Sequence, residues 1–254
     1  MKVFLLAFLL LFGCATQQNS MFYYYKGDST ALPVVEQITN STVSVFDGKN
    51  AGTGTIFRYS KNNTYILTCA HIMSNRPRRH EVNIMLMIGN YSPPKTTFIE
   101  SIIKPILVKK SVWVSGVEYA RTQNAKIFYI DRINDICLLK VDGAVFGTEI
   151  IFYKKLIPIG TEVYHVGNLF GSLNSSVTAG IISHNSRGLD GDKIQVNIDV
   201  SGGCSGGGIF TKDTGEYIGM VRERAKSNIG LAMIIPVKKI LRWIEVFDIE
   251  KNIK

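Results

Sequence analysis

Gly203-Cys204-Ser205-Gly206-Gly207 sits between two strand-like runs and places a serine among small residues. A hydroxyl on such a turn is open to a substrate carbonyl. The glycines let backbone N–H groups approach the negative charge that develops on the carbonyl oxygen. Serine attacks only when a base removes its proton, so this chemistry requires a histidine. The chain has four. His71 closes the run Tyr65-Ile66-Leu67-Thr68 in the context Thr68-Cys69-Ala70-His71. His80 stands beside Arg76, Arg78 and Arg79 in a basic turn, His165 reads as a packed residue inside a strand, and His184 lies in a polar turn with Asn185 and Ser186. His71 is therefore the candidate base. Asp135 opens the run Asp135-Ile136-Cys137-Leu138-Leu139-Lys140-Val141. A carboxylate at the mouth of a buried strand can hold an imidazole tautomer and stabilise the imidazolium. Each motif alone has an ordinary explanation: a Gly/Ser turn, a strand-end histidine, a strand-start aspartate. Together they describe nucleophilic acyl transfer, with His71, Asp135 and Ser205 in that chain order.

Residues so far apart in the chain must be brought together by the fold. From Val43 onward the sequence runs in short β-branched and aromatic stretches broken by Gly, Asn and Asp. These are Thr42-Phe46, Gly54-Tyr59, Tyr65-Thr68, Val82-Ile88, Ala125-Ile130, Ile136-Val141, Glu162-Val166, Thr178-Ser183, Lys193-Ile198, Gly208-Thr211, Tyr217-Glu223 and Leu231-Ile235. Short strands with turn signals between them predict an all-β barrel or sandwich. Pro33 to Thr39 reads as a short helix. After Pro236, Ile240, Leu241, Ile244 and Phe247 recur at helical spacing and predict a closing amphipathic helix. Tyr91 to Arg121 has prolines, lysines and no clean period, and reads as an inserted loop or hairpin.

Of 254 residues, 46% are hydrophobic and 19% charged, which excludes disorder for the bulk of the chain. The net charge of +9 suits an acidic partner without naming one. Arg76-Pro77-Arg78-Arg79 comes with no nucleic-acid motif and no aromatic interleaving, so it reads as a solvated basic loop and no nucleic-acid partner is expected. Four cysteines are too few for a disulfide scaffold. Lys2 followed by the apolar run Val3 to Phe12 reads as a signal peptide, too short to span a bilayer. Leu11-Phe12-Gly13-Cys14 resembles the bacterial lipobox. That likeness implies a signal peptide at 1–13, lipidation of Cys14, a linker at 14–30 carrying the cluster Phe22-Tyr23-Tyr24-Tyr25, and a folded domain at 31–254. The expected location is the bacterial cell envelope, held to the membrane by lipid. With an ordinary signal peptide and an incidental cysteine, the chain would instead be secreted.

The motifs as a set resemble the trypsin-like serine proteases, and the bacterial HtrA/Deg group more than the digestive enzymes. Gly52-Thr53-Gly54-Thr55-Ile56 is similar to that group's Gly-Ser-Gly strand. Thr68-Cys69-Ala70-His71 and the run from Asp135 to Val141 are similar to its histidine and aspartate motifs. Val166-Gly167-Asn168-Leu169-Phe170-Gly171, followed by Thr178-Ala179-Gly180-Ile181-Ile182-Ser183, resembles the stretch before its active-site loop. Gly215-Glu216-Tyr217-Ile218-Gly219 and Ala232-Met233-Ile234-Ile235-Pro236 resemble the strands after the serine. The likeness covers roughly residues 31 to 247. It implies two six-stranded antiparallel β-barrels with the site in the cleft between them. It also implies an oxyanion hole from the N–H groups of Gly203 and Ser205, protein or peptide substrates, and neither metal nor other cofactor.

Several positions depart from the family pattern. Cys204 stands where digestive enzymes have aspartate and HtrA-type enzymes usually asparagine. The interval from His71 to Asp135 is long, with the excess in the Tyr91-Arg121 stretch, and the chain ends too soon after its closing helix for a PDZ domain. Related viral proteases use Gly-x-Cys-Gly-Gly, which raises Cys204 as a rival nucleophile, but Gly206-Gly207 follows Ser205 and the register favours serine. Cys69, Cys137 and Cys204 all flank the proposed triad as small buried hydrophobes, and a Cys69–Cys137 pair is conceivable. Asp199, six residues before Ser205, either floors a pocket selective for Lys or Arg, as in trypsin, or is a plain strand-end residue. A catalytically inactive protease-fold binding module is the alternative to a serine endopeptidase.

Overall fold

The computed structural model describes residues 33–60, 62–73, 105–114, 117–145, 147–188, 192–224 and 230–253. The lipobox, the linker, His80 and the expected strand Val82-Ile88 lie outside them. The described chain forms two closed six-stranded barrels, every strand pair antiparallel. The first contains β1 (Thr42–Phe46), β2 (Ala51–Ser60), β3 (Asn63–Thr68), β4 (Ile106–Val114), β5 (Val117–Asp131) and β6 (Ile136–Asp142) in the order β1-β2-β3-β6-β5-β4. The second contains β7 (Glu162–Leu169), β8 (Leu173–Arg187), β9 (Lys193–Asn197), β10 (Gly208–Thr211), β11 (Tyr217–Arg224) and β12 (Leu231–Pro236) in the order β10-β11-β12-β9-β8-β7. This is the expected two-barrel architecture. Closure leaves no sheet edge unpaired around either barrel.

The strand nearest the site is the most buried. In β6 Ile136, Cys137, Leu138, Leu139 and Val141 are all buried, so the strand is apolar on both faces. It pairs with β3 on one side and β5 on the other, which fixes Asp135 at its start beside the end of β3. The helix α1 (Val34–Asn40) precedes β1, where a short helix is expected. Two helices close the chain, α2 (Val237–Val246) and α3 (Ile249–Ile253). Although they follow the second barrel, they pack on the first. Trp243 and Phe247 meet Tyr129 of β5, Arg58 pairs with Glu250 at 3.3 Å, and Ser60 Oγ donates to Ile253 O at 2.6 Å. The C-terminal helices thus tie the two barrels into one unit.

Two readings change. The Tyr91-Arg121 stretch, expected to be an inserted loop or hairpin, does hold one arm of a hairpin, since Ile106–Val114 pairs with β5 up to Val114 opposite Val117, but that arm is barrel strand β4, paired with β1 as well, rather than an insertion. Its inward alternation is Ile106, Val108 and Lys110, and the lysine in the buried register breaks the apolar pattern. Lys110 Nζ donates to the carbonyls of Thr39, Asn40 and Thr42, each at 2.9 Å. The ammonium thereby binds the carbonyls of Thr39 and Asn40 at the end of α1 and of Thr42 at the start of β1. Burial pulls it down to about 7, against the three carbonyls that favour its charged form. His184 lies within the long strand β8, between register shifts, rather than in a turn.

Candidate active site

The two ends of the β3–β6 pair bring the first two candidate residues together. After β3 the chain enters a single 3-10 turn, Ala70–Met73, that carries His71 into the inter-barrel cleft. Across from it, the β5–β6 turn is tied by Asp131, whose Oδ1 accepts from the N–H groups of Ile133 and Asn134, both at 3.0 Å. That turn ends on Asp135, held at φ 59°, a left-handed conformation open to aspartate but uncommon. The outcome is a two-point grip. Asp135 Oδ1 accepts the His71 backbone N–H at 2.8 Å, and Oδ2 lies 2.8 Å from His71 Nδ1. The carboxylate side chain is 7% exposed and the imidazole 48% exposed, so a buried carboxylate orients a half-exposed ring.

Ser205 comes from the second barrel, on the turn before β10. Thr53 of β2 fastens that turn to the first barrel. Its N–H donates to Ser205 O at 2.8 Å, and its hydroxyl donates to Gly203 O at 2.7 Å. The same hydroxyl accepts the Asn168 N–H at 2.8 Å, and Thr68 Oγ1 donates to Thr53 O at 2.6 Å. Gly203 has φ 95°, and a Cβ there would lie 2.2 Å from Asn168 O. Glycine is required for both conformation and space. Among the described residues neither the Gly203 N–H nor the Ser205 N–H is taken up by a hydrogen bond, so both remain available to an oxyanion. Ser205 Oγ donates to Arg222 O at 3.3 Å, and no hydrogen bond joins it to His71. Apo sites often show such a bond open, and rotation about one side-chain torsion moves the hydroxyl.

The cleft beside the pair is a cavity of about 530 Å³ lined by His71, Arg132, Asp135, Arg222 and Glu223. Arg222 Nε lies 3.4 Å from Asp135 Oδ2, and Arg132 donates to Met73 O at 3.0 Å. Asp199 does not share this lining. It is exposed, near Gly230, with its carbonyl accepting from Thr178 Oγ1 at 3.0 Å. Cys69, Cys137 and Cys204 are free and buried, so no disulfide joins Cys69 to Cys137. Burial raises all three thiols, which keeps them protonated. Cys204 is fully buried, and its Sγ accepts the Ser201 N–H at 3.4 Å. Cys69, His71 and Asp135 place donor atoms within 4.8 Å of one another, a spacing a metal could use. Cys69 Sγ instead donates to Val221 O at 3.2 Å, and the Arg222 guanidinium already brings positive charge to Asp135. His165 is buried with Nδ1 3.0 Å from Gly208 O, and burial lowers it to about 4, as a packed neutral histidine requires.

Thr53 and Arg222 were missed as site residues by sequence reasoning. Thr53 lies in the glycine-flanked strand motif, which was the available signal. Nothing local marks Arg222.

A family model for the trypsin-like peptidase domain matches residues 52–220. A probable periplasmic DegP-like serine endoprotease of Ectopseudomonas mendocina is 33% identical over 125 residues, which are 46% of this chain and 26% of that protein. A counterpart in Rickettsia prowazekii is 32% identical over 123 residues, 44% of this chain and 24% of that protein. The matched region thus spans about a quarter of the length of these relatives. The crystal structure of a serine endoprotease from Yersinia pestis superposes with TM-score 0.61 at 22% identity, covering 84% of this chain and 64% of that one. The structure of Deg5 gives TM-score 0.58 at 18% identity, covering 82% and 89%. At these identities the structural matches speak to fold alone.

Proposed function

The chain belongs to the trypsin-like peptidase family, and on that premise we propose that it is a serine endopeptidase of HtrA type working through Ser205, His71 and Asp135. The observation that carries the proposal is the two-point grip of Asp135 on His71. It fixes the tautomer with Nδ1 protonated and leaves Nε2 free to accept a proton. Ser205 Oγ attacks the peptide carbonyl while His71 Nε2 takes the hydroxyl proton. The N–H groups of Gly203 and Ser205 bind the oxyanion. His71 returns the proton to the leaving amine, and water then releases the acyl group from Ser205 by the same base. Buried, protonated Cys204 is not the nucleophile in this reading.

A fluorophosphonate probe should label the wild type and fail to label Ser205→Ala. A folded wild type that takes no label would favour the alternative, a protease-fold binding module. Periplasmic relatives and the lipobox-like Cys14 support a bacterial envelope location, with 1–13 removed, 14–30 as a tether and 31–254 as the protease domain. Absence of metabolic fatty-acid labelling in the wild type would remove the lipid anchor from this reading, and labelling that persisted in Cys14→Ala would remove Cys14 as its site.

A further inference from the structure

Asp135 Oδ2 faces two nitrogen donors, one on His71 and one on Arg222. His71 Nδ1 lies 2.8 Å from it and Arg222 Nε 3.4 Å from it. The same residue contacts the nucleophile, since Arg222 O accepts the Ser205 hydroxyl at 3.3 Å. Arg222 therefore touches two triad members, one through its side chain and one through its backbone. Its side chain is 31% exposed and lines the cleft with His71, so its charge is only partly screened by water.

We propose that Arg222 is a positioning residue that restrains catalysis, its guanidinium weakening the support Asp135 gives to the imidazolium. The proposal rests on the catalytic reading above. Only an interaction that changes between ground state and transition state alters the chemical step. The attraction of Arg222 to Asp135 is present in both. The repulsion between Arg222 and His71 arises only when His71 gains the serine proton. The two groups meet on one oxygen, so Arg222 Nε and His71 Nδ1 can be no more than about 6 Å apart. Two like charges at that distance in a half-screened cleft act on the rate on the order of tenfold. Removing the guanidinium does not strand Asp135, because both His71 donors still bind it.

The test compares wild type, Arg222→Gln and Arg222→Lys, using kcat and KM on a chromogenic peptide and the rate of fluorophosphonate labelling. Arg222→Gln should raise kcat and the labelling rate several-fold to about tenfold with KM little changed. Arg222→Lys, which keeps the charge, should stay near wild type. A fall in kcat for Arg222→Gln overturns the restraint, as does an equal rise in Arg222→Lys, which would assign the effect to shape. If wild type is labelled at Ser205 and Arg222→Gln is no faster, the restraint falls and the endopeptidase reading stands. If neither protein is labelled, both fall together.

Discussion

Replacing Thr53 with valine keeps the shape of a fully buried side chain and removes one hydroxyl. That hydroxyl donates to Gly203 O at 2.7 Å and accepts from Asn168 N at 2.8 Å. Valine can do neither, so the buried Asn168 N–H and the half-buried Gly203 carbonyl lose their partner. The buried N–H costs about 1–3 kcal/mol when left unsatisfied, and the carbonyl, which water can reach in part, costs less. The loop is not set free, because the Thr53 N–H still donates to Ser205 O at 2.8 Å. Relaxation would then move Gly203 relative to Ser205 and trade stability for a displaced oxyanion donor. Losing such a donor costs about 10²–10³ in kcat. Thr53→Val must therefore show lower stability, slower acylation, or some of each. Urea denaturation measures the first and the second-order rate of fluorophosphonate labelling the second. Thr53→Ser keeps the hydroxyl and loses one methyl, so it should lose about 1 kcal/mol and label at close to the wild-type rate. A valine variant with an unchanged denaturation midpoint and a labelling rate within about twofold of wild type would refute the reasoning.

His165, lowered by burial to about 4, gives a pH dependence of definite sign. Between the unfolded value near 6.5 and about 4 the unfolded chain binds the extra proton, so stability is full above pH 6.5 and falls as pH drops toward 4, by about 3 kcal/mol. Denaturation midpoints that stay flat across that window would show that His165 is charged or exposed in the folded protein. Gly203→Ala should slow fluorophosphonate labelling about 100-fold or more, since its Cβ would meet Asn168 O at 2.2 Å and Gly171 N at 2.5 Å and force the turn to shift. Labelling at the wild-type rate would mean that the Gly203 N–H does not serve the oxyanion.

The sequence was most readable where one physical rule acts alone. β6 could be recognised because Ile136 to Leu139 is a continuous apolar run, as a strand buried on both faces must be. Asp135 and His71 were legible for a related reason: each is a polar residue at the end of such a run, where the chain leaves the core. β4 was hidden because Lys110 takes an inward position that apolar periodicity assigns to a hydrophobe, and only the three carbonyls around it explain why it is tolerated. β8 extends well beyond Thr178-Ser183, to Leu173–Arg187, because serines and asparagines at its ends resemble a turn until pairing with β7 and β9 is known. Arg222 carried no signal, since its partner Asp135 lies on the other barrel and a charged residue near a strand end is ordinarily read as solvated. The barrels and the candidate catalytic residues were thus open to periodicity and motif. What tunes those residues arises where two distant segments meet, and it becomes visible only when the cleft between the barrels has closed around Asp135.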